Sequence, residues 1–370
     1  MELAHAKSLR RALPLGRRIK VLIVDDSVVI RRLVTHALTE DPQLEVVGSA
    51  ADGSIALQRI PQYQPDVITL DIEMPVMDGL EALRQIRKLY PSIRVIMFST
   101  LTERGASATV EALSLGANDY VTKAANAGSL DRSMASLRAE LVPKIKQFFD
   151  VQSIRTNAVP EKSCATPPAV AARNTFRKLS AARTVIVIGI STGGPNALAT
   201  IIPMLPPTLP LPVLIVQHMP PVFTRLLAER LNTLTPLSVE EAMEGAAVEP
   251  GKVLIAPGDH HMQVQRNAFG QVVIGLNRNP PENSCRPSVD VMFRSVAEVY
   301  GGSAIAVMLT GMGSDGVRGS AELHRQGAYI IAQDEASSVV WGMPGGVVNA
   351  GLADSVLDLG CVVSGILEQI

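Results

Sequence analysis

Two series of short apolar runs, each run followed by an amphipathic stretch, constrain the fold of this chain more than any other feature. In the first half the runs fall at 21–24, 46–48, 67–70, 95–98 and 119–121; in the second they fall at 185–190, 213–216, 253–255, 304–309 and 329–332. Runs this short, rich in Val and Ile and spaced by helical patterns, suit strands covered on both faces. Their alternation with helices predicts an α/β chain with two doubly wound parallel sheets. Between the series, Pro160, Pro167 and Pro168 stand among Ser, Thr, Ala and scattered basic residues, the composition of a linker. The expected organisation is a basic tail over 1–18, a first domain over 19–149, a linker over 150–183 and a second domain over 184–370.

A length of 370 residues supports two real cores. Although 47% of the residues are hydrophobic, no apolar run approaches the ~18 residues of a membrane span, so a soluble protein is expected. The basic tail lacks both an uninterrupted apolar core and a small-residue cleavage site, and reads as a flexible segment. Cys164, Cys285 and Cys361 are odd in number and widely spaced, which fits a reducing cytoplasm and argues against a structural zinc. A net charge of −1 gives no basic field for nucleic acid. A cytoplasmic monomer is the expectation.

Open parallel sheets bind ligands at the carboxyl ends of their strands. In the first half Asp25 and Asp26 follow the first run, Asp71 the third, Ser99 and Thr100 the fourth, and Lys123 the fifth. Any one of these acids alone reads as a solvated loop residue. Three carboxylates gathered at one edge repel unless a cation sits among them, a role suited to Mg²⁺, and a carboxylate is also a nucleophile toward phosphorus. The segments Val-Asp25-Asp26-Ser, Leu-Asp71-Ile-Glu-Met-Pro75-Val-Met-Asp-Gly79 and Asp-Tyr120-Val-Thr-Lys123 make residues 19 to about 140 resemble a response-regulator receiver domain. The resemblance implies a flavodoxin-like (βα)5 fold, Mg²⁺ held by Asp25, Asp26 and Asp71, and phosphoryl transfer from a histidine kinase to Asp71. It further implies that Lys123 neutralises phosphate charge, with Ser99 and Tyr120 in the switch. That family usually has Pro after this Lys; here Ala124 follows, so a differently built loop is expected, since a non-proline cis bond costs ~3–4 kcal/mol.

In the second half, Val185-Ile-Val-Ile-Gly-Ile-Ser-Thr-Gly-Gly194 passes from a β-branched run to a hydroxyl among glycines, and Pro195 then opens a helical pattern. Ser191 is thus placed in a strand-to-helix turn. The pattern leaves three readings open: a nucleophile, a phosphate cradle or a plain tight turn. His218 follows the run at 213–216, and Asp315 lies in the glycine-rich segment Thr310-Gly311-Met312-Gly313-Ser314-Asp315-Gly316 after the run at 304–309. Three strand ends therefore deliver a Ser, a His and an Asp to one rim, the residue types that acyl transfer by a serine requires. His260 and His261 read as a loop near the site, because adjacent residues of an extended chain point opposite ways. His36 and His324 read as helix-face residues, and Trp341 as either a pocket wall or a buried anchor.

Ile-Gly-Ile-Ser191-Thr192-Gly-Gly, Gln-His218-Met-Pro-Pro, Ile-Ala-Pro-Gly-Asp259, Arg-Pro-Ser-Val-Asp290 and Leu-Thr-Gly-Met312-Gly-Ser-Asp315-Gly make residues 184 to 365 resemble the catalytic domain of the chemotaxis protein-glutamate methylesterases. The resemblance implies Ser191 as nucleophile, His218 as base and Asp315 as its orienter, with Thr192 and the Met312 amide near the oxyanion and no cofactor in the esterase site. Ser314 stands where Asn is common. The implied substrates are methylated glutamates on the cytoplasmic helices of chemoreceptors, with glutamine deamidation as a related activity, so the membrane is reached only through receptors. The rival from another class is a phospho-switched binding protein with 189–194 as a phosphate loop, but that segment, Gly-Ile-Ser-Thr-Gly-Gly, is not a G-x-G-x-x-G with an acidic residue roughly twenty positions on. A long Pro-bearing linker cannot transmit a rigid motion. The domains must then touch, with the unphosphorylated receiver expected across the rim of Ser191, His218 and Asp315.

Overall fold

The computed structural model describes residues 11–12, 16–123, 130–150 and 182–370. The first domain runs β1 (Ile19–Val24), α1 (Val28–Thr39), β2 (Leu44–Ala50), α2 (Gly53–Tyr63), β3 (Val67–Asp71), α3 (Gly79–Leu89), β4 (Arg94–Ser99), α4 (Glu103–Ser114), β5 (Asp119–Thr122) and α5 (Leu130–Lys146). Its five strands pair in parallel in the order β2-β1-β3-β4-β5, the arrangement of the doubly wound flavodoxin-like sheet. The side chains of Ser27, Asp52, Asp78 and Thr102 each accept a hydrogen bond from an amide in the first turn of α1 to α4, which fixes where each helix starts. Every residue of β3 is buried, as a central parallel strand requires.

The second domain contributes β6 (Val185–Ile190), α6 (Gly194–Ile201), β7 (Val213–Gln217), α7 (Phe223–Asn232), β8 (Ser238–Glu241), β9 (Lys252–Ile255), β10 (His261–Arg266), β11 (Val272–Asn277), α8 (Val289–Tyr300), β12 (Ala304–Met308), α9 (Val317–Gln326), β13 (Tyr329–Gln333), α10 (Met343–Asn349), β14 (Ser355–Leu357) and α11 (Val362–Leu367). Seven of these strands form a parallel sheet in the order β8-β9-β7-β6-β12-β13-β14. The chain reverses its direction of travel between β6 and β12, and a switch point of this kind leaves a crevice at the carboxyl ends.

Three of these features depart from the expectation of five strands. The edge strands β8 and β14 escape the apolar-run criterion because one is Ser-Val-Glu-Glu with alternate burial and the other is only three residues long. In the antiparallel hairpin β10–β11, β10 alternates polar and apolar residues and β11 carries only three apolar residues before Gly275, so the hairpin belongs to neither series. The expected flexible tail is also corrected in its described part. Arg11–Ala12 pairs in parallel with Phe149–Asp150, and Arg17 bonds the buried Asp66 carboxylate at 3.0 Å. The proposed linker lies outside the described residues over 151–181, as does Ala124. No helix among the described residues is long and apolar enough to cross a membrane.

The two domains pack against each other. Helix α4 of the first contacts α6 and α7 of the second, and the ring of Tyr120 stacks on Phe223 with centroids 5.0 Å apart and planes 12° from parallel. Leu113, Tyr120, Leu198 and Phe223 all belong to one apolar cluster that runs between the two sheets.

Candidate active site

Ser191 is the first residue after β6, where the strand turns into α6. Its amide donates to Thr310 O at 3.0 Å and its carbonyl accepts from Gln217 Nε2 at 3.0 Å, so the neighbouring strand ends of β12 and β7 brace the turn. The Thr310 hydroxyl adds a bond to Thr192 O at 3.0 Å. Gly311 has to be glycine here, because a Cβ would come within 2.8 Å of Ser191 Cβ. The backbone amides of Thr192 and Met312 donate to no group among the described residues. They stand in a cavity of about 320 Å³ that Ser191 and His218 also line.

His218 follows β7, and its Nε2 bonds Asp315 Oδ2 at 2.8 Å. The pair is largely removed from water, with side chains 13% and 2% exposed. Burial alone would pull the imidazole pKa down, but the Asp315 carboxylate and Cys285 outweigh it and raise the ring to about 9. Burial would likewise push Asp315 up, yet the His218 ring and the Val289 and Ser288 donors hold it at about 2. Both shifts favour an ion pair. No hydrogen bond joins the Ser191 hydroxyl to the ring among the described residues. The imidazole nitrogen turned away from Asp315 is Nδ1, which stands 3.7 Å from Cys285 Sγ.

The segment before α8 holds Asp315 from the other side. Ser288 Oγ and Asn283 Nδ2 each donate to Oδ1 at 2.8 Å, the Asp290 amide donates to Oδ1 at 3.2 Å, and the Val289 amide donates to Oδ2 at 2.7 Å. Asn283 bridges two acids, since its amide also donates to Asp290 Oδ2 at 2.9 Å. Burial raises the pKa of Asp290, and the Gly319 amide at the start of α9 supplies a further donor at 2.6 Å. The Arg-Pro-Ser-Val-Asp290 segment shows no role of its own in the sequence. Its run of polar and apolar residues ahead of a helix gives no sign that three consecutive residues donate to one carboxylate. Asn283 and Cys285 were missed outright.

The remaining histidines divide. His261 is buried, with Nε2 facing Pro280 O at 3.2 Å and Nδ1 accepting from the Ser288 amide at 3.2 Å, whereas His260 meets Arg278 on the outside. Trp341 donates from Nε1 to Gln333 O at 3.2 Å, which makes it an anchor of the loop after β13. His36 and His324 are exposed on α1 and α9.

At the carboxyl edge of the first sheet, Asp25, Asp26 and Asp71 each place a carboxylate oxygen within 4.8 Å of the others. Lys123 Nζ sits on Asp25 Oδ2 at 2.9 Å and Asp71 Oδ2 at 2.8 Å. Burial raises Asp71 to about 6 against the pull of Lys123. Three hard oxygen donors, two of them buried and one exposed, fit a Mg²⁺ that keeps several of its waters. Ser99 faces elsewhere: its hydroxyl accepts from Thr109 Oγ1 at 2.6 Å and donates to the carbonyls of Thr100 and Gly105.

The two sites meet through β5 and α5. Asp119 Oδ2 accepts from Thr192 Oγ1 at 3.2 Å, and Lys144 Nζ donates to Tyr120 O at 2.6 Å. Leu113, Asn118, Asp119, Tyr120 and Lys144 roof the cavity that holds Ser191. Arg225 of α7 and Glu103 of α4 form an ion pair at the edge of the contact.

A model of the CheB methylesterase family matches residues 186–366, and a model of the response regulator receiver domain matches residues 21–135. A protein of Trichodesmium erythraeum named protein-glutamate methylesterase/protein-glutamine glutaminase is 46% identical over 355 residues, covering 95% of this chain and 99% of that protein. One of Pyrococcus horikoshii with the same name is 42% identical over 352 residues, covering 93% and 92%. Among solved structures, the CheB methylesterase catalytic domain of Thermotoga maritima is 43% identical, with a TM-score of 0.50, and aligns with 51% of this chain and all of that one.

Proposed function

The chain belongs to the CheB methylesterase family, with a receiver domain ahead of the catalytic one, and from this premise we propose how its residues divide the work. It is a protein-glutamate methylesterase and protein-glutamine glutaminase under phosphorylation control. Its proposed substrates are methyl-esterified glutamates on chemoreceptor helices, and its proposed phosphodonor is a histidine kinase. The observation that carries the catalytic assignment is the 2.8 Å bond between His218 Nε2 and Asp315, at a rim shared with Ser191 and with two free amides.

Because Asp315 occupies Nε2, the base is Nδ1, which acts once the ring, its pKa raised to about 9, has given up its second proton. Ser191 Oγ attacks the ester carbonyl while Nδ1 takes its proton, and the imidazolium that forms is stabilised by Asp315. The Thr192 and Met312 amides donate hydrogen bonds to the oxyanion of the tetrahedral adduct. Nδ1–H then protonates the departing methoxide, releasing methanol and leaving an acyl-serine. Water attacks that ester with Nδ1 again as base, and collapse frees the glutamate carboxylate and restores Ser191. A glutamine amide follows the same route with ammonia as the first product.

In the receiver, Asp71 is the phosphoryl acceptor and Lys123 meets the added charge. Asp25, Asp26 and Asp71 would hold Mg²⁺, which when bound neutralises charge on the phosphoryl oxygens. The roof of receiver residues over Ser191 leaves room for a small ester but bars a receptor helix, which supports the resting chain as the closed form. A serine-directed phosphonate tests the nucleophile: it should label Ser191 alone, and labelling at another serine overturns the assignment.

A further inference from the structure

Cys285 has chemistry that ester hydrolysis does not use. Its Sγ lies 3.7 Å from His218 Nδ1, while the opposite ring nitrogen is held by Asp315 at 2.8 Å. An imidazole nitrogen and a thiolate sulfur that share a tetrahedral zinc, with bonds of about 2.0–2.1 and 2.3 Å, stand about 3.6 Å apart. The observed separation therefore matches the edge of such a site without rearrangement. A carboxylate bonded to the far nitrogen of a ligating histidine is the usual outer partner of zinc sites, where it fixes the ring and raises its basicity. His218, Cys285 and Asp315 form one of two groups among the described residues whose donor atoms cluster closely enough for an ion. The other is the all-oxygen cluster of the receiver, so the two sites differ in donor softness and select different metals.

Space for the ion is present as well. A cavity of about 370 Å³ opens on His218 and Cys285, with Asp259 on one side and Glu140 and Lys144 of the receiver on the other. The cationic groups there are already engaged: Arg286 with Asp259, and Lys144 with Glu140 and Asp119.

We propose that His218 Nδ1 and Cys285 Sγ form a binding site for a thiophilic divalent cation of the zinc class, with Asp315 as the outer partner and water completing the shell. On binding, the thiol and the imidazolium Nδ1 each release a proton to solvent, and the thiolate and the freed Nδ1 lone pair become metal bonds. Two protein ligands make this a reversible site and not a structural one. That occupancy blocks hydrolysis rests on the reading of Nδ1 as the base.

The test uses the full chain with Cys164→Ser and Cys361→Ser, so that Cys285 is the only thiol. Titration with Co²⁺ should give a thiolate-to-cobalt charge-transfer band that disappears in Cys285→Ala and weakens in His218→Gln. Zn²⁺ should suppress methanol release and a chelator should restore it. Cys285→Ala should require roughly tenfold more Zn²⁺ or beyond for the same fractional suppression of the methanol release it retains. If Cys285→Ala proves inactive, cobalt binding by Ser191→Ala decides, since that protein retains both ligands. Absence of the band, or equal Zn²⁺ sensitivity with and without Cys285, overturns the site. A band without loss of methanol release upholds the metal site and instead removes Nδ1 as the base.

Discussion

Replacing Asp315 by Asn perturbs the carboxylate that the structure defines most tightly. Oδ1 accepts from Asn283, Ser288 and the Asp290 amide, and Oδ2 accepts from His218 and the Val289 amide. A carboxamide must turn its NH2 toward one of these sets of donors, and the Oδ2 side conflicts with fewer. There the new N–H meets the Val289 amide and His218 Nε2. The ring can accept only by presenting a lone pair at Nε2, which places its proton on Nδ1 and removes the base. Loss of the correct tautomer lowers turnover by about 10⁴-fold. Stability falls too, because the orphaned Val289 amide costs about 1–3 kcal/mol. The ion pair that, together with Cys285, raises His218 from 6.5 to about 9 against burial is also lost, a contribution of at most about 3 kcal/mol. Because the folded pKa is the higher one, that second contribution is complete below pH 6.5 and gone above about 9. The stability gap between the parent and Asp315→Asn should therefore narrow as pH rises through this window. Methanol release and thermal unfolding, each followed from about pH 6 to about pH 10, read both effects. Activity within roughly tenfold of the parent, or a gap that ignores pH, would show that Asp315 neither fixes the His218 tautomer nor pairs with its charge.

Ser191→Ala should abolish ester hydrolysis by several orders of magnitude and leave the melting temperature unchanged, since its hydroxyl makes no hydrogen bond among the described residues; methanol release near the parent rate would remove Ser191 as nucleophile. A chain of residues 182–370 should hydrolyse methylated receptors faster than the unphosphorylated full chain, while both should act alike on a small ester. Asp71→Asn should lose all stimulation by a phosphodonor at unchanged basal activity; a stimulated variant would place the phosphoryl group elsewhere. Asp119→Ala removes the acceptor of the Thr192 hydroxyl, and about 1 kcal/mol of docking should appear as roughly fivefold higher basal receptor demethylation.

The strands that carry chemistry were legible because burial on both faces writes them as continuous runs of Val, Ile and Leu. Thus β1, β3, β6, β7 and β12 were found within a residue or two, together with the acids, Ser191, His218 and Asp315 at their ends. The edge strands β8 and β14 have no such signature, since Glu240 and Val356 face water. Local pattern also failed for groups that act through space. Asn283 and Cys285 lie 65 and more residues beyond His218 in the chain, in a turn with no periodicity, and only the close approach of that turn to Asp315 reveals them. The contact between Asp119 and Thr192 was out of reach for the same reason. That the domains must touch followed from the linker, but which side chains touch depends on the packing of α4 against α6 and α7.

The position of β5 would let a phosphoryl group on Asp71 act on the other domain without the linker. It is the shortest strand of its sheet, four residues long, spanning about 13 Å. As the edge strand it is held by a single ladder to β4, so it shifts at the cost of fewer backbone bonds than any interior strand. Just past its carboxyl end, Lys123 holds Asp25 and Asp71; at its amino end, Asp119 holds Thr192, and Tyr120 beside it stacks on Phe223. A phosphoryl group on Asp71 adds charge where Lys123 is already engaged by two carboxylates. Any rearrangement of Lys123 then acts on the strand that carries both docking contacts. Ser99 reinforces this, for its carbonyl accepts the Lys123 amide at 2.6 Å while its hydroxyl is tied to the start of α4, the helix that lies against α6 and α7. Drawing that hydroxyl toward a phosphoryl oxygen would release α4 and β5 together, and these are the two elements that hold the roof over Ser191.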